Sequence, residues 1–161
     1  MRPGSAGLEP QGVRRRAPRY LFLPIHPRWA LAILDGSKRW ELRTKRPSVE
    51  TGDVVVLYAT SPLRAVVGSF KVGEIVSGEP DAVWRAVRGE IASTRAGYVE
   101  IFGEAPVVHA IKVRSPRRVA PYTPRFQVGQ GWRFLRPRED SAHRSVVQRV
   151  IASRQPKSGR R

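Results

Sequence analysis

The apolar positions near the start of the folded part of the chain predict a strand followed by a short helix. Residues 20–25 form an apolar run typical of a strand, and Pro27 then suits the first turn of a helix. Four apolar residues follow at helical spacing and share one face: Trp29, Ala30, Ile33 and Leu34. Gly36 stands where a left-handed residue commonly ends a helix.

The next segment, 38–45, alternates between apolar and charged residues, which predicts a strand with two different faces. Trp40 and Leu42 lie on one face and are expected to point into the interior. Glu41 and Arg43 lie on the other, close enough to orient each other.

The remaining pattern predicts a small α+β fold. Strands are expected over 53–59, 65–76, 107–113 and 132–135, and helices from Pro80 and near 93–102. The proline-rich basic stretch 115–124 is expected to be a loop. Since this order is not a βαβ array, the pattern favours a small β-barrel of five to six strands with two to three peripheral helices.

The two ends of the chain differ from its middle in composition. Residues 1–19 carry five basic residues and one acidic residue and have little to bury, so we expect a disordered basic arm. Residues 20–137 form the predicted domain. Residues 138–161 are expected to be a basic tail with a possible short helix, capped by Asp140 or Ser141.

The large positive net charge indicates a polyanionic partner. Among 161 residues, 30 Lys and Arg stand against 13 Asp and Glu, a net charge of +17, and nucleic acid is the commonest polyanion to balance such an excess. The absence of cysteine excludes disulfides and thiolate zinc sites, and three scattered histidines favour no metal or other cofactor. Without a long apolar run or a secretory leader pattern, we expect no membrane association and a cytoplasmic location.

Basic and aromatic residues are interleaved in the last third of the chain. No acidic residue occurs over 105–138, which holds eight basic residues and the rings of Tyr122, Phe126, Trp132 and Phe134. Cations beside flat rings suit a single-stranded nucleic acid. The alternative is that the rings belong to the core and the arginines to its solvated rim. We expect an auxiliary basic surface from Arg114, Arg117, Arg118, Arg125 and Arg133.

One motif carries a resemblance to a known family. The segment 36–43 contains the pattern Gly-x-Lys-x-x-Glu-x-Arg after an amphipathic helix and at the start of a strand. This resembles the signature of the ASCH domain, a branch of the PUA-like β-barrel superfamily. The segments that extend the resemblance over 20–135 are 45–47, 56–62, 67–73, 98–103 and 130–135.

The resemblance implies a cleft between the barrel wall and the first helix, with RNA-related roles. It places Lys38, Glu41 and Arg43 in that cleft. The full set expected to bind RNA or a nucleotide is Lys38, Glu41, Arg43, Lys45, Arg46, Tyr58, Thr60, Ser61 and Lys71. A carboxylate among cations could accept a base N–H while the cations hold phosphate. The alternative is a ladder of surface ion pairs on an exposed strand.

Enzymatic functions form the second hypothesis. Some family members are amidohydrolases that act on N4-acetylcytidine, and the resemblance implies a Lys, a Thr three residues later and a Glu on a following strand. Lys38 fits, but Glu41 and Lys71 stand at the other two positions, which makes catalysis uncertain and less favoured. A ribonuclease using Lys38, Tyr58 and Glu41 is a further alternative, and a protein-interaction module the last. The sequence leaves the oligomeric state open.

Overall fold

Ten elements follow one another in this computed structural model, which describes residues 16–154. They are β1 (Tyr20–Ile25), α1 (Pro27–Asp35), β2 (Trp40–Arg43), β3 (Val54–Ala59), β4 (Ala65–Gly78), α2 (Pro80–Val87), α3 (Arg95–Phe102), β5 (Val108–Tyr122), β6 (Arg133–Phe134) and α4 (Ser141–Arg154). The α+β class and the six strands are confirmed. The structure has four helices, one of them in the predicted tail.

The six strands form one sheet in the order β2-β5-β4-β3-β1-β6. The pair β1 and β3 is parallel, and every other neighbouring pair is antiparallel. In the described part of the chain no pairing joins β2 to β6, so the expected barrel is not closed. Both edge strands are short, with four residues in β2 and two in β6, and neither offers a long ladder for closure.

The prediction of a loop over 115–124 is wrong, because strand β5 continues through most of this segment. Arg117 pairs with Ser69 and Tyr122 with Val66 across the β4–β5 ladder. Register shifts interrupt the ladder near Pro116 and Pro121, the two prolines of this segment that lie in β5. Since β2 ends opposite Lys112, no strand of the described chain pairs with the other edge of β5 here. Proline lacks an N–H and is tolerated at such bulges and edges.

Helix α1 covers one face of the sheet, called here the inner face. Ile33 of α1 belongs to the same buried cluster as Leu57 of β3 and Phe70 of β4. Gly36 ends the helix with φ 89°, and its N–H donates to the carbonyl of Ile33, as the sequence predicted.

The outer face of the sheet is covered at two places. Trp40 and Leu42 are buried, as predicted, but beneath α2 and α3 in a cluster with Val83 and Tyr98. The sequence predicts that they point into the interior of a barrel; in the structure they lie on the outer face of the sheet and are absent from the cluster beneath α1. Alternation separates the two faces of a strand without telling which one α1 will cover.

Helix α4 covers the other part of the outer face. Its N-terminus is capped by Asp140, whose Oδ1 accepts from the N–H groups of Ala142 and His143 at 2.8 and 3.1 Å. Val146 and Val150 are fully buried in a cluster that includes Phe22 of β1. The C-terminal segment thus contributes side chains to the core of the domain.

Asp53 attaches the first described residues to the sheet. Its carboxylate is 1% exposed and ion-pairs with Arg16 and Arg19 at 3.2 and 3.0 Å. It also accepts from the backbone N–H groups of Arg19 and Glu50. Residues 1–15 of the predicted arm and 155–161 of the predicted tail lie outside the described residues.

We predict that Leu42→Ala lowers the free energy of unfolding by about 2–5 kcal/mol, because Leu42 is 7% exposed beneath α2 and α3. Arg39→Ala is the matched control. Its side chain is exposed, and we expect a change within about 0.5 kcal/mol. Urea unfolding measures both, and equal small losses would contradict the assignment of Leu42 to a packed cluster.

Candidate functional site

Lys38 is held in place by the turn that follows α1. Its backbone N–H donates to the carbonyl of Ala32 at 2.9 Å, and it forms an isolated bridge with Ile91. The residue is 5% exposed, and its Nζ lies 5.3 Å from the centre of the Trp29 ring. A flexible side chain is thus fixed in a partly apolar place.

Glu41 lies between two cations. Its Oε1 accepts from Nε of Arg43 at 3.0 Å, and its Oε2 lies 3.8 Å from Nζ of Lys38. Glu41 is 5% exposed, and Oε2 has no hydrogen-bond donor among the described residues. The three residues of the Gly-x-Lys-x-x-Glu-x-Arg motif therefore form one ionic group with an acceptor that is buried and not hydrogen-bonded.

Burial changes the acidity of Lys38. Loss of solvent lowers the pKa of its ammonium group below the usual value, the Glu41 carboxylate raises it, and the Arg43 guanidinium lowers it again. The net direction is downward. Lys38 gives up its proton more readily than an exposed lysine does.

This ionic group faces a cavity of about 430 Å³. Pro24 and Ile25 at the end of β1 line it together with residues of β2, so it lies where the sheet is left open. The rings of Trp29, Tyr98 and Phe102 form apolar parts of its wall. The hydroxyl-bearing residues Thr44 and Ser93 and the imidazole of His26 also line it. A flat, partly polar molecule fits such a lining.

A second groove of about 750 Å³ holds another part of the predicted site. Tyr58, Thr60 and Ser61 line it, together with Arg64 and Phe126. Pro24 lines both the cavity and this groove, so the two are neighbours. The structure therefore divides the predicted residues between two adjoining places. Lys45 and Arg46 are exposed and line neither one.

Lys71 lies away from the cavity. It pairs with Val54 at one end of β3, whereas Ile25, which lines the cavity, pairs with Ala59 at the other end. Five residues of extended chain separate these ends by about 17 Å. Lys71 is thus not brought to Lys38 and Glu41. The position at which the amidohydrolase hypothesis needs a Glu, held here by Lys71, therefore also lies away from the cavity.

The five arginines of the predicted auxiliary surface do not form one surface. Arg114, Arg117 and Arg118 are exposed on β5, Arg125 is exposed after it, and Arg133 of β6 stacks over Phe126 at 4.4 Å. All four rings of this stretch are partly buried against the core. Arg149 covers Tyr122 and Arg19 covers Phe134. This arrangement favours the interpretation that the rings are structural.

Several cavity residues escaped the sequence reasoning. Ser93 and Tyr98 come from the segment around α3, 50 or more residues after the motif. His26 was considered only as one of three scattered histidines. Tertiary packing alone brings them to Lys38. Thr44 carried a usable signal, because it directly follows Arg43 in the sequence.

Two absences concern the described residues alone. Within 16–154, no group of three or more His, Asp or Glu side chains could hold a metal ion. No helix in the same part of the chain is long and apolar enough to cross a membrane.

Comparison with known proteins agrees with the motif. The family model for the ASCH domain matches residues 23–117, which is more than half of the chain. The chain belongs to the ASCH domain family. The match spans β1 through most of β5 and includes Lys38, Glu41 and Arg43, whereas α4 follows it.

Relatives of this ASCH domain come from Zymomonas mobilis. A protein named ASCH domain-containing ribonuclease is 24% identical over 136 residues, covering 80% of this chain and 92% of the relative. The crystal structure of ASCH from Zymomonas mobilis gives a TM-score of 0.71 at 22% identity, over 83% of this chain and 94% of that one. A Tyr-to-Phe mutant of the same protein gives 0.72 at 22% identity, over 80% and 96%. These structures share the fold.

We predict that Glu41→Gln lowers the free energy of unfolding by about 3 kcal/mol, because it leaves the buried Lys38 ammonium without a counter-charge. The double variant Lys38→Met/Glu41→Gln should lose less than the sum of its two single variants. Chemical denaturation of the four proteins gives the coupling energy. Strict additivity would show that the two charges do not stabilise each other.

Proposed function

We propose that this ASCH domain binds RNA or a nucleotide, with the base in the 430 Å³ cavity beside Glu41. The observation that carries the proposal is Oε2 of Glu41, a buried acceptor with no hydrogen-bond donor among the described residues. Glu41 lines a cavity with aromatic walls. A buried polar atom without a partner costs free energy, and a ligand N–H would remove that cost.

The chemistry of a nucleotide matches the lining. Each base has at least one ring N–H or amino group that can donate a hydrogen bond to a carboxylate. The flat face of the base suits contact with the Trp29 ring. Lys38 and Arg43 hold positive charge beside the same carboxylate, where a ligand phosphate would be attracted. The net charge of +17 and the relative named as a ribonuclease are consistent with RNA as the ligand.

The adjoining groove extends this proposal. Tyr58, Thr60 and Ser61 supply hydroxyls and a ring next to the cavity, with Arg64 at the same groove. Since Pro24 separates the two spaces, a nucleotide that follows the first along a strand would meet these residues. Lys45 and Arg46 remain predicted phosphate contacts at the exposed end of β2.

We predict that Glu41→Gln reduces the differences in affinity among the four nucleoside monophosphates more than it reduces their mean affinity, since base contacts specify and phosphate contacts position. Arg43→Ala should weaken all four by about tenfold or more, as loss of a charge-assisted contact does. Isothermal titration calorimetry on each folded variant measures both effects.

Arg39→Ala is the matched control, because Arg39 is exposed, lies two residues before Glu41 and does not line the cavity. Arg43 is partly exposed and its removal keeps the test valid if Glu41→Gln proves unstable. Identical binding curves for wild type, Arg43→Ala and Glu41→Gln would overturn the cavity as the nucleotide site.

RNA cleavage is the second candidate function, and the lowered pKa of Lys38 favours it. A lysine whose pKa is lowered by burial loses its proton more readily, and its free amine can act as a base toward a ribose 2′-hydroxyl. Glu41 shares the cavity with Lys38, whereas Tyr58, assigned a role from sequence, lines the neighbouring groove. Of the three residues, Lys38 and Glu41 would therefore carry the acid-base roles, since they share the cavity, and Tyr58 would not.

We predict that, if the protein is a ribonuclease, it cleaves an RNA strand and leaves the DNA strand of the same sequence intact, because attack needs the 2′-hydroxyl. Lys38→Met should abolish cleavage, and Arg39→Ala, purified in parallel, should retain it. Gel analysis of labelled strands measures this. Equal cleavage by Lys38→Met would assign the activity elsewhere, and no cleavage by wild type would leave binding as the function.

A further inference from the structure

We propose that the domain has a second nucleic-acid surface, which holds the phosphate backbone without reading bases. It is formed by Lys71 of β4, Arg114 and Arg117 of β5 and Arg154 of α4, and is called here the β4–β5 basic face. The proposal extends the proposed function, because it takes nucleic acid as the polyanion. It names a different place on the molecule.

Strand pairing brings these cations together. Lys71 pairs with Arg114, and Ser69 pairs with Arg117. Ser69 lies on the outer face, since its hydroxyl accepts from Nη2 of Arg154 at 3.0 Å. Gly68 lies on the inner face, where an added Cβ would meet Leu34 of α1. Its partner Arg118 therefore belongs to the inner face and is not part of the surface.

Gly73 shapes the surface. An added Cβ at this position would come within 2.7 Å of Nε of Arg114 and 2.9 Å of Cβ of Lys112. The absence of a side chain lets Arg114 lie across β4. The guanidinium is supported by the sheet beneath it, which reduces the entropy that it would lose on gripping a phosphate.

Arg154 is fixed before any ligand binds. Nη1 donates to the carbonyl of Ser115 at 3.1 Å and Nη2 to Ser69. Nε is buried and has no hydrogen-bond partner among residues 16–154. Burial lowers the pKa of Arg154, and the charge of Arg117 lowers it further. The two cations are thus held close enough to repel, and an anion between them would relieve that repulsion.

No carboxylate of the described residues neutralises this surface. Among residues 16–154, none of its four cations forms an ion pair within 4 Å, and the sequence has no acidic residue over 105–138. Glu41, Glu90 and Asp53 neutralise cations elsewhere in the domain. Three exposed cations beside the partly buried Arg154 on one face of the sheet suit a chain of phosphates, which guanidinium groups bind with charge-assisted hydrogen bonds.

Base reading is not expected at this face. The nearby ring of Tyr122 is covered by Arg149 at 3.9 Å, so it offers no free surface for stacking. The face also begins at the end of β3 far from the cavity, about 17 Å along the strand. A strand must be several nucleotides long to reach both places, whereas a mononucleotide can occupy the cavity alone.

The test compares two variants of the full chain with the same loss of three positive charges. One is Lys71→Gln/Arg114→Gln/Arg117→Gln, in which all three side chains are exposed. The control is Arg39→Gln/Arg85→Gln/Arg88→Gln, which removes exposed arginines on the side of α2. The affinity for a 20-nucleotide uridylate RNA is measured by fluorescence anisotropy at several salt concentrations.

Each phosphate neutralised on a single strand contributes about 0.7 to the slope of log K against log salt. We expect the first variant to flatten the slope by about 2 units and the control by well under 1. Equal slopes for the two variants would overturn the proposal. So would a first variant that keeps the RNA slope but loses binding to polyglutamate, because that result would assign the face to an acidic protein.

Titration with a mononucleotide separates this proposal from the proposed function. The first variant should bind a mononucleotide as wild type does, because none of its substitutions lines the cavity. If wild type binds no mononucleotide but the slope still falls in the first variant, the cavity assignment fails and the basic face stands. If wild type binds a mononucleotide and the two variants have equal slopes, the cavity assignment stands and the basic face fails.

Discussion

The buried carboxylate of Glu41 constrains the architecture around the cavity. A carboxylate that is 5% exposed costs free energy unless cations stand beside it, and the fold supplies Lys38 from the turn after α1 and Arg43 from β2 itself. Helix α1 must therefore end where Gly36 ends it, so that Lys38 reaches the strand. The inner face of β2 is consequently ionic, and this polar edge borders the cavity where a closed barrel would have continued its packing.

A second buried carboxylate, that of Asp53, has hydrogen-bond donors at both of its oxygens. Asp53 accepts from two backbone N–H groups and from the guanidinium groups of Arg16 and Arg19, so both of its oxygens are bonded. Burial raises its pKa, and these hydrogen bonds and charges outweigh that effect and lower it. Glu41 is also buried, at 5% exposed, but its Oε2 has no donor among the described residues. Asp53 therefore holds the first described residues against the sheet, whereas Glu41 keeps one oxygen for a ligand.

Local patterns predicted the elements better than their arrangement. Periodicity found β1, α1 and its glycine end, because these depend on neighbours within a few residues. The course of β5 through 115–124 could not be read from sequence, since prolines are tolerated only where register shifts and a free edge remove the need for an N–H. Likewise, alternation showed that Trp40 is buried, but its covering by α2 and α3 depends on packing between distant segments.

The same distinction between local and long-range contacts applies to the candidate site. Lys38, Glu41 and Arg43 are near neighbours in the chain, so their spacing was enough to predict their contact, whereas the distance to Lys71 depends on strand register. That register turns a basic composition into two different surfaces. The cavity places cations around the Glu41 carboxylate, which can discriminate among ligand donors. The β4–β5 basic face places cations together without a carboxylate from the described residues. Since specificity needs an acceptor that is costly to leave unpaired, only the first can select a base, and the second can hold any phosphate chain.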